Sequence, residues 1–375
     1  MNRPRALFVA YRNHLRGTGG VQLCTAEFVA GLEAAGLELD LLEVEPNRAP
    51  TTRVLRRLNP SPYFRPLSAA TLAELRARAP GARYVFLNQM NLAGALGPHD
   101  CAGTPVIGLS HGCEITDQVH LARLRATLPL TARQLRPNAR LVMGQTLRDE
   151  VAARRYLAGT IAISPFDADC EAWLGTRRTC WVPRTIVPSP LDRAPLFGRF
   201  GYVGTLDHAP NLEGLDAVLG AIGTSADLSV QVVGGPERIG TWLSARHPAV
   251  SYLGPLDDAA LAREAATWNG FIHPIFCLPR GCSTKLAGAL AWGLPVVTTA
   301  HGRRGYKWRE GGLAEAESPA GFVAAMRALI PAQADAAGAA LVRQAAASGP
   351  TMPEVGARIA AFLETVDADR ARSAS

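Results

Sequence analysis

Between Leu278 and Lys285 the chain collects the residue types that could do chemistry on an anion. Arg280 and Gly281 come first, then Ser283 and Thr284, then Lys285 at the start of the segment KLAGALAWG. That segment spaces Leu286, Ala289 and Leu290 on one helical face and stops at Gly293. A lysine in a first helical turn is unfavourable by itself, because the free N–H groups already make that end positive. It makes sense if an anion sits there, with N–H groups, two hydroxyls and two cations converging on phosphate. The plainer reading is an exposed Lys and Arg on an ordinary loop.

Other candidates are weaker. Gly17, Gly19 and Gly20 precede a helical stripe of Val21, Cys24, Phe28, Val29 and Leu32. This resembles a dinucleotide turn, with Asp40 or Glu43 about 20 residues on, but Gln22 stands where a third glycine or alanine belongs. His111 ends the apolar run PVIGLS, at the strand end that faces the crevice in an open α/β sheet. A lone histidine is as readily structural. Glu114 and Asp117 read as helix N-terminal charges, and the DAD triplet at 167–169 as a helix cap.

Positioning these residues requires two blocks of alternating strand and helix. Strands are expected at 6–11, 37–45, 83–89, 105–112 and 160–164, with helices between them. The Pro-rich stretch 187–199 separates this block from a second, which restarts at RFGYVGT and contains the FIHPIF–helix–PVVTTA unit. Helices are expected over 114–132, 138–157, 319–330, 332–347 and 353–366, with the tail DADRARSAS frayed. The fold class is therefore α/β, two doubly wound Rossmann-like domains facing a central cleft. The division is 1–187, 188–350, and a closing helix and tail at 351–375 available to pack back on the first domain. Residues 46–66 form an irregular or briefly helical connection. There Arg53, Arg56, Arg57, Tyr63 and Phe64 suit an acceptor or a lipid surface, against the alternative of a solvated loop.

Composition narrows the function. Hydrophobic residues make up 48% and charged residues 19%, as expected of a well-cored folded protein. The net charge of +7 suits an anionic ligand or membrane surface. The arginines are scattered without interleaved aromatics, which disfavours nucleic acid. Seven cysteines without a CxxC pair argue against a disulfide framework or structural zinc and for a reducing cytoplasm. No run approaches 18 apolar residues.

In order and spacing, GTGGVQLCTAEFVAGLEAAG, the LSHG of 105–112, FGYVGTLDHAPNLEGL and GCSTKLAGALAWGLPVVTTAHGRRGY resemble the glycosyltransferases of the GT-B fold, in particular the retaining family 4 type. The resemblance implies a nucleotide-diphosphate sugar held by the second domain and an acceptor held by the first. It implies Gly19 and Gly20 near the diphosphate and transferred sugar, His111 near the reacting sugar, Gly204 as the strand-end glycine, and Lys285 as the lysine of the helix before GLPVV. Two departures stand out. The family's two glutamates, seven residues apart, are here Arg280 and Gly288, and its Arg and Lys after the second-domain glycine give way to Thr205 and Asn211. The diphosphate set is then expected to be Gly204, Thr205, Arg280, Gly281, Ser283, Thr284 and Lys285, with Arg303 or Arg304 in reserve. The implied reaction needs no metal or other cofactor. The acceptor is left open among a lipid-linked glycan, a polysaccharide, a peptide and a small molecule, in a cytoplasmic protein with peripheral contact at the membrane's inner face. Two other functions fit part of the pattern: an NAD(P)-dependent dehydrogenase, and a non-catalytic nucleotide-sugar or glycan binder.

Overall fold

The computed structural model describes residues 3–16, 19–124, 139–307, 313–330, 340, 344, 347 and 349–374. The first block runs β1 (Arg5–Tyr11), α1 (Arg12–Leu15), α2 (Gly20–Ala34), β2 (Glu38–Val44), α3 (Pro50–Leu58), α4 (Ala69–Arg78), β3 (Tyr84–Asn88), α5 (Asn91–Ala95), β4 (Val106–Ser110), α6 (Glu114–Leu124), α7 (Ala139–Arg154), β5 (Gly159–Ala162), α8 (Pro165–Trp173) and β6 (Thr179–Trp181). The second runs β7 (Arg199–Val203), α9 (Ala209–Ile222), β8 (Ser229–Val233), α10 (Glu237–Arg246), β9 (Val250–Gly254), α11 (Asp258–Ala265), β10 (Gly270–His273), α12 (Thr284–Ala291), β11 (Val296–Thr298), β12 (Leu313–Glu315) and α13 (Pro319–Leu329). A long helix, α14 (Met352–Ala374), closes the chain.

Each block is a six-stranded sheet. The orders are β2-β1-β3-β4-β5-β6 and β12-β11-β10-β7-β8-β9, with every pairing parallel. The strands read as unbroken apolar runs because helices cover both faces. Ala6–Tyr11 of β1 and Tyr84–Leu87 of β3 are all buried. Both sheets are therefore doubly wound, and their strand C-terminal ends open onto the space between them, where ligands bind in such folds.

Within the 46–66 connection the brief helix is the outcome: residues 50–58 are helical, with Pro50 at the N-terminal end, where the missing N–H costs nothing. Two local expectations change. The short strand β6 was not apparent in CWVPRTI; it extends the sheet by pairing with β5 from Thr179 to Trp181. The tail expected to fray continues α14 to Ala374, because Asp367 accepts from Arg83 and from Tyr84 Oη at 2.8 Å, and Asp369 pairs with Arg178. Val355, Ile359, Phe362 and Val366 of α14 lie in the core of the first sheet beside Phe28 and Leu32 of α2. Gly17, most of the expected 332–347 helix and the last part of the 114–132 helix fall outside the described residues.

Candidate active site

The two sets of strand ends enclose a cavity of about 340 Å³, lined from both sides. Two helices point their N-termini at it. α2 begins at Gly20 and α12 at Thr284, and a Cβ on Gly20 would lie 3.1 Å from Thr284 Oγ1. Among the described residues, neither helix is capped by a side chain. Gly19 has none to offer, and the Ser283 hydroxyl, though buried at the cap position, makes no hydrogen bond. In α4, α8, α11 and α13 the caps Ser68, Ser164, Asp257 and Ser318 all accept from a first-turn N–H. The cleft thus keeps unfilled N–H donors at two positive helix ends.

Lys285 lies beside them. Its side chain crosses the face of Gly204, where a Cβ would collide with the ammonium, and its Nζ sits 5.7 Å from the centre of the Tyr202 ring. Among the described residues it has no carboxylate partner, and burial lowers its pKa to about 8. Arg304 shares this wall. Its guanidinium donates to the carbonyls of His301 and Arg280, each at 2.8 Å, and forms no ion pair among the described residues, with Asp167 acting on it only through longer-range charge. Burial pushes its pKa down as well. Sequence spacing had kept Arg304 only in reserve, because nothing in RRG shows which arginine turns inward. The structure sends Arg303 to Glu315 and Arg304 into the cavity.

Arg280 behaves differently from expectation. It reaches across the cleft to α6 and pairs with Glu114 and, at 2.8 Å, with Asp117. Burial alone would raise the Asp117 carboxyl, but Arg280 and His208 outweigh it and hold the pKa at about 2. The next residue continues the contact: Gly281 N donates to Asp167 Oδ1 at 3.1 Å. Asp167 is thus more than a helix cap, although Ser164 does cap α8 through Asp167 N at 3.0 Å. The backbones meet so closely here that a Cβ on Gly112 would strike Gly281 N and Arg280 Cβ, and both glycines have φ in the left-handed region (+102° and +69°). His120 Nε2 to Leu278 O at 2.9 Å completes the strap. The sequence carries no signal for any of these cross-cleft contacts.

His111 lies at the end of β4 in the opposite wall. Its protonation state can be read from its neighbours. Thr25 Oγ1 donates to Val21 O at 2.8 Å, so it accepts from Asn88 Nδ2 at 2.9 Å. That leaves Asn88 Oδ1 to accept from His111 Nε2–H at 2.8 Å. Nδ1 then carries the lone pair. Burial, with His14, Arg280 and Arg184 nearby, lowers the His111 pKa to about 3, so the ring is neutral at any ordinary pH. Beneath it Ser110 Oγ donates to Glu171 Oε1 at 2.7 Å, and Glu171 is locked to Arg154, both side chains fully buried. Thr205 lines the cavity, and its carbonyl accepts from Asn211 Nδ2 at 3.0 Å.

The dinucleotide alternative needs a free acid after β2. Asp40 is paired with Arg5 and Arg78, and Glu43 accepts from Arg12 at 3.0 Å and Arg16 at 2.7 Å, so neither is available to a ribose.

Residues 198–331 match the family model described as glycosyl transferases group 1. No curated protein sequence matches the chain. Among solved structures, sucrose-phosphate synthase from Thermosynechococcus elongatus superposes with a TM-score of 0.66 at 13% identity, covering 98% of this chain and 100% of that one. HepE of Anabaena, solved with UDP and glucose, gives 0.60 at 15% identity, covering 96% and 100%. AviGT4, a glycosyltransferase involved in avilamycin A biosynthesis, gives 0.55 at 14% identity, covering 97% and 98%. At such identities the structural likeness speaks to the fold, and the family match speaks to the second domain. The chain has the GT-B fold, and its residues 198–331 are similar to the group 1 glycosyl transferase domain.

Proposed function

We propose that the protein transfers a sugar from a nucleoside-diphosphate sugar, holding the diphosphate between the N-termini of α2 and α12 with Lys285 and Arg304 as its counter-charges. The observation that carries this reading is the positive charge of that wall: among the described residues, two cations without an ion pair beside two helix ends without a side-chain cap. Holding unpaired charge away from water is unfavourable, and an anionic ligand relieves it. As the glycosidic bond to the leaving phosphate breaks, negative charge grows on the diphosphate. Fixed cations and helix N–H groups stabilise it in place, with no divalent metal required. HepE, solved with UDP-glucose, supports a nucleotide sugar as the donor class.

In this reading the cations are assigned differently from the sequence expectation. Arg280 has its charge committed to Glu114 and Asp117, and in this reading it holds the two walls together rather than binding phosphate. Gly204 makes room for Lys285, and Ser283 and Thr284 supply hydroxyls. Neutral His111 offers Nδ1 as an acceptor to a hydroxyl of the transferred sugar, with its ring direction set by Asn88 and Thr25. The acceptor enters from the first domain, near Tyr63, Gln89 and Asn91. Retention at the anomeric carbon is expected from the family resemblance and is read directly from the product's anomeric coupling.

Lys285→Ala tests the reading. A charge-assisted contact in a partly closed cleft contributes about 1.5–3 kcal/mol. The variant should bind a nucleoside diphosphate roughly 10- to 100-fold more weakly and lose at least as much turnover, because the charge grows in the transition state. Affinity for the bare nucleoside should not change. Titrations with both ligands in the presence of a chelator check this. Unchanged diphosphate affinity, or binding only with added metal, places the phosphate site elsewhere. Diphosphate binding with no turnover of any nucleotide sugar would favour the non-catalytic binder.

A further inference from the structure

Helix α3 has its apolar face turned the wrong way for a globular protein. In a surface helix the apolar stripe normally faces the core. Here Val54, Leu55 and Leu58 are 56%, 49% and 71% exposed, and Thr52 is the helix's buried residue. At about 100° per residue the three apolar side chains form one stripe, bordered by Arg57, and Arg57, Arg53 and Arg56 make one continuous arc on the side away from it. All three arginines are exposed, the helix contains no acidic residue, and among the described residues none of the three makes an ion pair. Elsewhere on the surface of this domain, arginines find carboxylates, as Arg12, Arg76, Arg83 and Arg178 do.

The helix is nonetheless firmly mounted. The Pro46–Leu67 bridge closes the base of the excursion, and Ser61 and Tyr63 are buried just after it. Tyr63 Oη accepts from Arg154 Nη1 at 3.0 Å, and the same residue lines the active-site cavity. Arg56 lies near enough to Tyr11, the last residue of β1, to bear on its hydroxyl. The exposed stripe is therefore displayed rigidly at the strand-end rim of the first domain, on the acceptor side of the cleft.

We infer that α3 docks this rim onto an anionic lipid bilayer, with Val54, Leu55 and Leu58 entering the acyl boundary and Arg53, Arg56 and Arg57 lying in the phosphate layer. A short in-plane helix binds such a surface through apolar burial plus attraction between arginines and anionic headgroups. Its apolar stripe next to an arginine face with no ion pair among the described residues matches that layering, whereas a protein partner would need an array of carboxylates spaced to meet all three. Docked this way, the cavity opens next to the membrane, and an acceptor carried on a lipid reaches it from the side of Tyr63. Lipid binding is read without any transfer reaction, so its outcome is separate from that of the donor assignment.

Co-sedimentation tests it, using phosphatidylcholine vesicles with and without phosphatidylglycerol at low and physiological salt. The wild-type chain should partition onto the anionic vesicles at least about tenfold more strongly than onto the neutral ones, and less so as salt rises. The pair Leu55→Ser with Leu58→Ser, and the triple Arg53→Gln, Arg56→Gln and Arg57→Gln, should each weaken binding by about tenfold or more. Thermal melting and nucleoside-diphosphate affinity should stay as in wild type. Equal binding to both vesicles, or variants that sediment like wild type, would overturn the inference. So would a solution dimer that Leu58→Ser dissolves, since the stripe would then be covered by a second copy.

Discussion

The two walls of the cleft hold charge in opposite ways. On the first-domain side most of the charged groups are paired. Arg154 is locked to Glu171, Glu171 also takes the Ser110 hydroxyl, and Glu150 accepts from the N-terminal amide of α6 at 2.7 Å. On the second-domain side, among the described residues, Lys285 and Arg304 form no ion pair and two helix ends have no side-chain cap. Paired buried charges define a single arrangement and have little capacity left for a ligand. Unpaired ones destabilise the empty site and are relieved by an anion. Arg280 sits on the second-domain loop but belongs, by its partners, to the first wall. Each of the following experiments breaks or sharpens this contrast.

The largest effect should come from breaking the saturated wall. Glu171→Ala leaves the Arg154 guanidinium buried without its partner, which costs about 3–5 kcal/mol. Chemical denaturation should show the midpoint fall accordingly. Lys285→Ala, on the other wall, should move stability by less than about 1 kcal/mol, since no pair is broken. A large loss there would mean that Lys285 is structural and that the contrast is false.

In the proposed function His111 stands at the reacting sugar, and on that reading His111→Ala should lower turnover by roughly 10²-fold. Folding and diphosphate affinity should barely change. A variant with normal turnover removes His111 from the mechanism. Asn88→Asp sharpens the point, because a carboxylate at 2.8 Å from Nε2 should raise the depressed His111 pKa and bring its titration into a measurable range by NMR.

Arg280→Ala separates a clamp from a phosphate ligand. In a double-mutant cycle with Asp117→Asn, a clamp gives a coupling of about 0.5–3 kcal/mol in stability or domain closure. Diphosphate affinity should then fall less than in Lys285→Ala. An equal fall would return Arg280 to the phosphate site.

The smallest effect is a pH slope. Burial lowers Lys285 to about 8, so the empty protein loses this ammonium as pH rises through about 8. An unfolded lysine keeps its proton to about 10.4. Diphosphate affinity should therefore weaken between about pH 7 and 9, by up to roughly tenfold, and Lys285→Ala should flatten the slope. For stability the sign is reversed: the folded state binds fewer protons in this window, so wild-type stability rises with pH across it.

Much of this was legible in the chain. Apolar runs of strand length, alternating with helical stripes, specified two parallel sheets. That information is local, because both faces of each strand are buried and periodicity records burial. Lys285 in a first turn after Ser283 and Thr284 was likewise readable, because a cation at a helix N-terminus is locally unfavourable and asks for an anion. The sequence alone thus determined the two-domain α/β architecture and pointed to the strand ends where His111 and Lys285 lie. Only the tertiary structure decided that Arg280 crosses to Glu114 and Asp117, that Arg304 rather than Arg303 enters the cavity, and that Thr25 and Asn88 set the tautomer of His111. The reason is physical: these are contacts between residues far apart in the chain, whose energies depend on distance and shared burial, and neither quantity is written in residue type or spacing.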